Sequence, residues 1–104
     1  MLEQLTVADF GGHLSASFPI LLETGERLNL ELIDARSLGE PGAAPRREPG
    51  RPPFSLIFRG PIDRLLPQRV YTVEHPTRGS LGIFLVPLGP EGDPKGLHYQ
   101  AVFN

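Results

Sequence analysis

No cysteine occurs in the 104 residues, which removes disulfides, thiolate catalysis and cysteine-based zinc sites together. No apolar run approaches the ~20 residues that a bilayer-crossing helix needs. Nor is there an excess of positive charge. Ten Lys and Arg against twelve Asp and Glu leave a net −2, with no electrostatic footprint for a nucleic acid. The opening residues, Met1-Leu2-Glu3-Gln4, place an acid where a secretory signal carries cations, and no long apolar segment follows. The expectation is a cytoplasmic chain, without nucleic-acid or membrane partners, that folds on its core alone. What is present, 39% apolar and 21% charged residues, suits a single globular domain over residues 1–104.

Periodicity then predicts an all-β fold. Residues 6–10 read as a short helical turn: Thr6 caps it, and Asp9 three positions on suits both the reciprocal cap and the positive helix end. Gly11-Gly12 stops the turn, and Leu5 and Phe10 are its apolar residues, placed to close one end of a barrel or sandwich. From Ser15 onward the period becomes two. Strands are predicted over 18–23 and 26–34, with Thr24-Gly25 as the turn between them. Leucine favours helices, but Leu28, Leu30 and Leu32 recur at even spacing, which is the pattern of a half-buried strand. Further strands are predicted over 54–58, 69–75, 80–86 and 97–103. About six antiparallel strands with mostly short connections argue for a meander closed into a small barrel or a two-sheet sandwich.

One stretch interrupts this order. In 39–53, eight of fifteen residues are Gly or Pro and none is an apolar residue larger than Ala. Such a segment buries too little surface to offset its ordering entropy, so it reads as a flexible loop within the domain.

The search for chemistry returns little. His13, His75 and His98 lie in different segments, without the close spacing of a metal site. His75, between Glu74 and Pro76, reads as a strand-end residue that shapes a turn. Gly79-Ser80-Leu81-Gly82 is a tight turn into a strand and not a nucleophile elbow, because no helix follows. Glu91 and Asp93 lack the alternation of a calcium loop, and prolines interrupt them. Arg46, Arg47 and Arg51 belong to the Pro-rich loop, with Glu40 and Glu48 offsetting their charge. A cyclic-dinucleotide site would require a following Asp/Asn-Ser-Gly signature, and Pro52-Pro53-Phe54-Ser55-Leu56 stands there instead. No catalytic residue, cofactor site or metal site is expected.

Arg59, Arg64 and Arg69 sit near strand ends and are better placed as ordered cations. Arg59 is expected to pair with a surface acid such as Glu74. The more informative signal is apolar. Ile83-Phe84-Leu85-Val86 is hydrophobic on both faces of its strand, and Ile57 and Val102 also fall on outward positions. Two accounts stand: a central strand covered on its second side by the amino-terminal turn, or a contact surface.

Several strings carry a family resemblance. They are Phe54-Ser55-Leu56-Ile57-Phe58-Arg59-Gly60-Pro61, Leu66-Pro67-Gln68 with Tyr71, Glu74-His75-Pro76, Gly79, Phe84-Leu85-Val86-Pro87 and Tyr99-Gln100-Ala101-Val102-Phe103-Asn104. Together with Leu5-Thr6, Phe10 and His13, they resemble the DUF6916 family, a small bacterial domain of unknown function. The likeness spans the chain apart from 39–53. It implies a setting near phage-tail-collar-like proteins, hence a small accessory or assembly part of a tail-like particle. It supplies no catalytic residues, and Gln100 stands where an acid is expected in relatives.

Two functions are weighed. The leading one is a non-enzymatic interaction module that binds a protein partner or itself through Arg59, Phe84, Val86 and Val102. Edge strands support such binding without a distinctive side-chain motif. The alternative is a small-ligand-binding β-barrel whose cavity is lined by Leu28, Leu30, Leu32, Phe58 and Tyr99, with His98 or Arg59 at the mouth. It is less favoured, since even barrels of about eight strands are only just roomy enough for a ligand.

Overall fold

The computed structural model of the chain describes residues 5–37, 53–88 and 94–103. One helical turn, α1 (Ala8–Gly11), precedes six strands: β1 (Ser17–Leu21), β2 (Arg27–Ser37), β3 (Phe54–Gly60), β4 (Arg69–His75), β5 (Gly79–Pro87) and β6 (Leu97–Phe103). The strands form because side chains alternate between a shared interior and the outside. In β6, for example, Leu97, Tyr99, Ala101 and Phe103 are buried, His98 and Gln100 half-buried, and Val102 exposed.

All ladders are antiparallel and close into a barrel in the order β1-β2-β3-β6-β5-β4. The architecture is therefore a barrel and not a sandwich. Nor is it the expected plain meander, because β6 lies between β3 and β5, and β4 closes the ring against β1. The segment 61–68 carries the chain from β3 to β4. It is fixed by the Leu66 N–H, which donates to the Tyr99 hydroxyl at 2.9 Å, and by the Tyr71 hydroxyl, which donates to the Pro67 carbonyl at 2.6 Å.

β2 runs three residues beyond its expected end at Asp34. The β2–β3 register shifts between Leu32 and Asp34, so Leu32 faces Phe58 while Ala35 faces Leu56. This bulge inserts one residue and turns Ala35 toward the core, where it packs half-buried. Leu30 and Leu32 are fully inward, and Leu28 packs partly buried at the rim. The turn after β1 has Gly25 at φ +90°, and the one before β5 has Gly79 at φ +76°.

The interior is filled by side chains. Phe10, Phe18, Phe54, Phe58, Leu30 and Tyr99 have no exposed surface, and Phe54 and Phe103 stack at 4.5 Å. Each such side chain contributes about 1.5–3 kcal/mol by leaving water. At Gly60, an added Cβ would stand 2.9 Å from Leu30 Cδ2 and 3.2 Å from Tyr99 Cε1, so the position has room only for glycine.

α1 plugs one mouth of the barrel. Phe10 lies against the rings of Phe18, Phe54, Phe103 and His75. The Thr6 N–H donates to Asp9 Oδ2 at 2.7 Å, the reciprocal half of the expected cap, but Thr6 itself does not cap the helix: Val7 is the N-cap residue, without a side-chain cap bond, and the Thr6 hydroxyl turns to the same carboxylate oxygen at 3.4 Å. Since α1 occupies the mouth, it does not blanket the outer face of β5, where Phe84 remains 49% exposed.

Candidate interaction surface

β5 reads Gly-Ser-Leu-Gly-Ile-Phe-Leu-Val-Pro and carries no charged side chain. Leu81, Ile83 and Leu85 point into the core, so Ser80, Gly82 and Phe84 face outward. Across the β4–β5 ladder Phe84 is opposite Val70, which is 62% exposed. The β5–β6 register pairs Val86 with Gln100, and two residues further along it sets Val102, 48% exposed, on the other side of Phe84. Val70, Phe84 and Val102 thus form an apolar row across three strands. The next row holds Val86, Gln100 and Ile57, all half-buried.

Arg59 lies apart from this row. On β3 it is four residues from Ser55, the neighbour of Val102, which is about 13 Å at ~3.3 Å per residue. It is paired with Glu31 at 2.5 Å and not with Glu74, because the β2–β3 register sets Glu31 directly opposite. Glu74 is taken by Arg27 at 2.9 Å. The structure therefore brings together Phe84 and Val102, places Val86 beside them, and leaves Arg59 at the far end of the same outer face. Val70 completes the row and was missed. Its signal was present, since it alternates with Arg69 and inward Tyr71, which share the other face, but a lone outward valine is ordinary until its neighbour is known.

Beside Val70 the surface continues into an open groove of about 290 Å³, lined by Leu21, Leu65, Val70 and Tyr71 and flanked by Arg64 and Arg69. Both arginines are tied to the β1–β2 turn, Arg64 to Glu26 at 2.9 Å and Arg69 to Glu23. The Arg64 guanidinium and the Thr24 hydroxyl hold the Glu26 carboxyl below its ordinary range. These pairs are exposed and contribute little to stability.

His75 and His13 meet at the plugged mouth. His75, 4% exposed, uses Nε2 to donate to the Asp9 carbonyl at 2.6 Å. Its Nδ1 accepts the backbone N–H of both Thr77 and Arg78, each at 3.1 Å. A carbonyl only accepts and an N–H only donates, so the proton sits on Nε2. His13 meets His75 edge-on at 5.2 Å and also borders Phe18. Arg78 grips Asp9 Oδ1 through two nitrogens, at 2.7 and 3.1 Å. The Thr6 N–H first, and then Arg78, hold the Asp9 carboxyl below its ordinary pKa. His98 faces Arg59 across the β3–β6 ladder, away from this cluster. Among the described residues no three His, Asp or Glu side chains converge on a metal-sized site. Arg46, Arg47, Arg51, Glu91 and Asp93, and residues 39–52 of the expected flexible loop, lie outside the described residues.

A family model described as a domain of unknown function, DUF6916, matches residues 5–103. Comparison with curated proteins and with solved structures finds no match.

Proposed function

The chain belongs to the DUF6916 family, and we propose that it is a non-enzymatic interaction module whose contact surface is the row Val70–Phe84–Val102. The observation that carries this reading is the row itself: three apolar side chains, each about half exposed or more, side by side on the outer wall of the barrel. Contiguous exposed apolar side chains mark contact surfaces more often than scattered ones do. The partner is a protein or another copy of the chain. The sequence resemblance adds a setting, an accessory part of a tail-like particle.

A ligand inside the barrel has less support, because four of the five residues expected to line its cavity, Leu30, Leu32, Phe58 and Tyr99, are fully buried in the core, and the fifth, Leu28, packs at the rim. Among the described residues no helix is long and apolar enough to cross a membrane.

The test is a paired capture experiment with wild type and Phe84→Asp as baits. The variant should lose the proteins captured by wild type while keeping its circular dichroism and melting profile. Equal capture by both baits would refute the assignment of the row.

A further inference from the structure

The open groove and the Phe84 ring lie on one face of the barrel, on opposite sides of Val70. The groove opens on the β1 side of β4, lined by Leu21, Leu65, Val70 and Tyr71. Phe84 stands on the β5 side, opposite Val70 in the ladder. Neighbouring strands are about 4.8 Å apart, so hollow and ring are each roughly one strand spacing from the line of β4. A twofold axis along β4 at Val70 exchanges them. It sets the Phe84 ring of each copy over the groove of the other, with Val70 against Val70.

The groove suits an aromatic ring in size and chemistry. Its volume is about 290 Å³, and an apolar cavity of about 150 Å³ already accepts a benzene. The guanidinium groups of Arg64 and Arg69 border it, and a cation favours the face of an aromatic ring. Each is paired, Arg64 with Glu26 and Arg69 with Glu23, so the rim is balanced in charge and calls for neither an anion nor a cation. The face that would meet it is uncharged too, since β5 carries no charged side chain. Val102 flanks the ring on its β6 side. Because ring and hollow are exchanged by one axis, both contacts form at once and the assembly closes as a dimer.

We infer that the chain binds a second copy of itself about a twofold axis at Val70, each Phe84 ring seated in the other's Leu21–Leu65–Tyr71 groove. This rests on the proposed reading of the row as a contact surface and commits that surface to self-association.

Light scattering on the full chain should show wild type rising from 11.4 kDa toward twice that mass with concentration. Phe84→Ala removes the ring, and Leu65→Asp spoils the groove; both residues are exposed, so the fold should survive, as circular dichroism checks. Each variant alone should raise the dimer dissociation constant at least about tenfold, equivalent to about 1.4 kcal/mol. Mixed together, they restore one of the two contacts, Phe84 of the Leu65→Asp copy in the intact groove of the Phe84→Ala copy. The mixture should therefore dimerise more tightly than either variant alone.

A wild-type monomer at every accessible concentration, a dimer unaffected by Leu65→Asp, or a mixture no tighter than its components would each overturn the inference. The two readings fail separately. If wild type is monomeric yet Phe84→Asp loses a captured protein, the contact row stands and self-association falls. If neither self-association nor Phe84-dependent capture is found, both fall.

Discussion

Replacing His75 with phenylalanine should show how the plugged mouth is held. The ring is preserved, so the edge-on contact with Phe10, at 5.0 Å between centroids, survives in outline. What disappears is polar: the bond from Nε2 to the Asp9 carbonyl and the two bonds from the Thr77 and Arg78 N–H groups to Nδ1. A typical intramolecular hydrogen bond contributes about 1 kcal/mol net, and a buried group left without a partner costs about 1–3 kcal/mol. The turn after β4 lies near the surface, where water reaches part of what is freed. The Asp9 carbonyl, bonded to a buried ring, is left with less access to water. The expected loss is thus about 2–4 kcal/mol, equivalent to roughly 8–25 °C of melting temperature for a domain of this size.

Chemical denaturation followed by circular dichroism measures the free energy, and nitrogen-detected NMR of the imidazole in wild type reads the tautomer. The spectrum should show the proton on Nε2. A loss under about 0.5 kcal/mol, the level of an ordinary surface change, would refute the hydrogen-bond account. So would a proton on Nδ1.

Gly60→Ala should cost about 1–3 kcal/mol by overpacking, because its Cβ is forced toward Leu30 and Tyr99; thermal melts check this, and an unchanged melting temperature would mean the interior is looser than described. Tyr99→Phe leaves the Leu66 N–H without its acceptor and should lower stability by about 1–3 kcal/mol, with faster exchange of the Leu66 amide as the local readout. For Asp9, the folded-state pKa lies below the ordinary 3.8, so its contribution is complete above that value and lost as pH falls through the folded-state value. Asp9→Asn should flatten the acid limb of stability against pH; a limb identical to wild type would remove Asp9 as its source.

The strands were legible because each has a dominant inward series that survives in the three-dimensional structure. Leu97, Tyr99, Ala101 and Phe103 in β6 are the plainest example, and β4 and β6 run between the expected residues. The end of β2 was misplaced because alternation fails at the bulge after Leu32, and a one-residue insertion looks the same in sequence as a strand end. Strand order was not legible at all. Whether β6 or β4 lies beside β3 is decided by pairings between residues far apart in the chain, and local periodicity is silent about them. The partner of Arg59 failed for the same reason, since Glu31 becomes its neighbour only through the β2–β3 register.

β5 shows how the legible and illegible parts combine. Its double apolar character is visible in Ile83-Phe84-Leu85-Val86 alone, and by itself it fits a covered central strand as well as a contact strand. The choice turns on what lies over the second face. α1 was the natural cover, being the one apolar element not assigned to a strand. Its Phe10 is instead drawn into the barrel mouth, where four aromatic rings meet it, because six strands leave that end open and a phenylalanine fills it. The plug that completes the core is thus the reason the outer face of β5 stays bare. Val70 and Val102 then fall beside Phe84 through registers that serve the core, with Tyr71 and Ile83 turned inward on β4 and β5 and Ala101 on β6. The same alternation that builds the interior therefore assembles the exposed row.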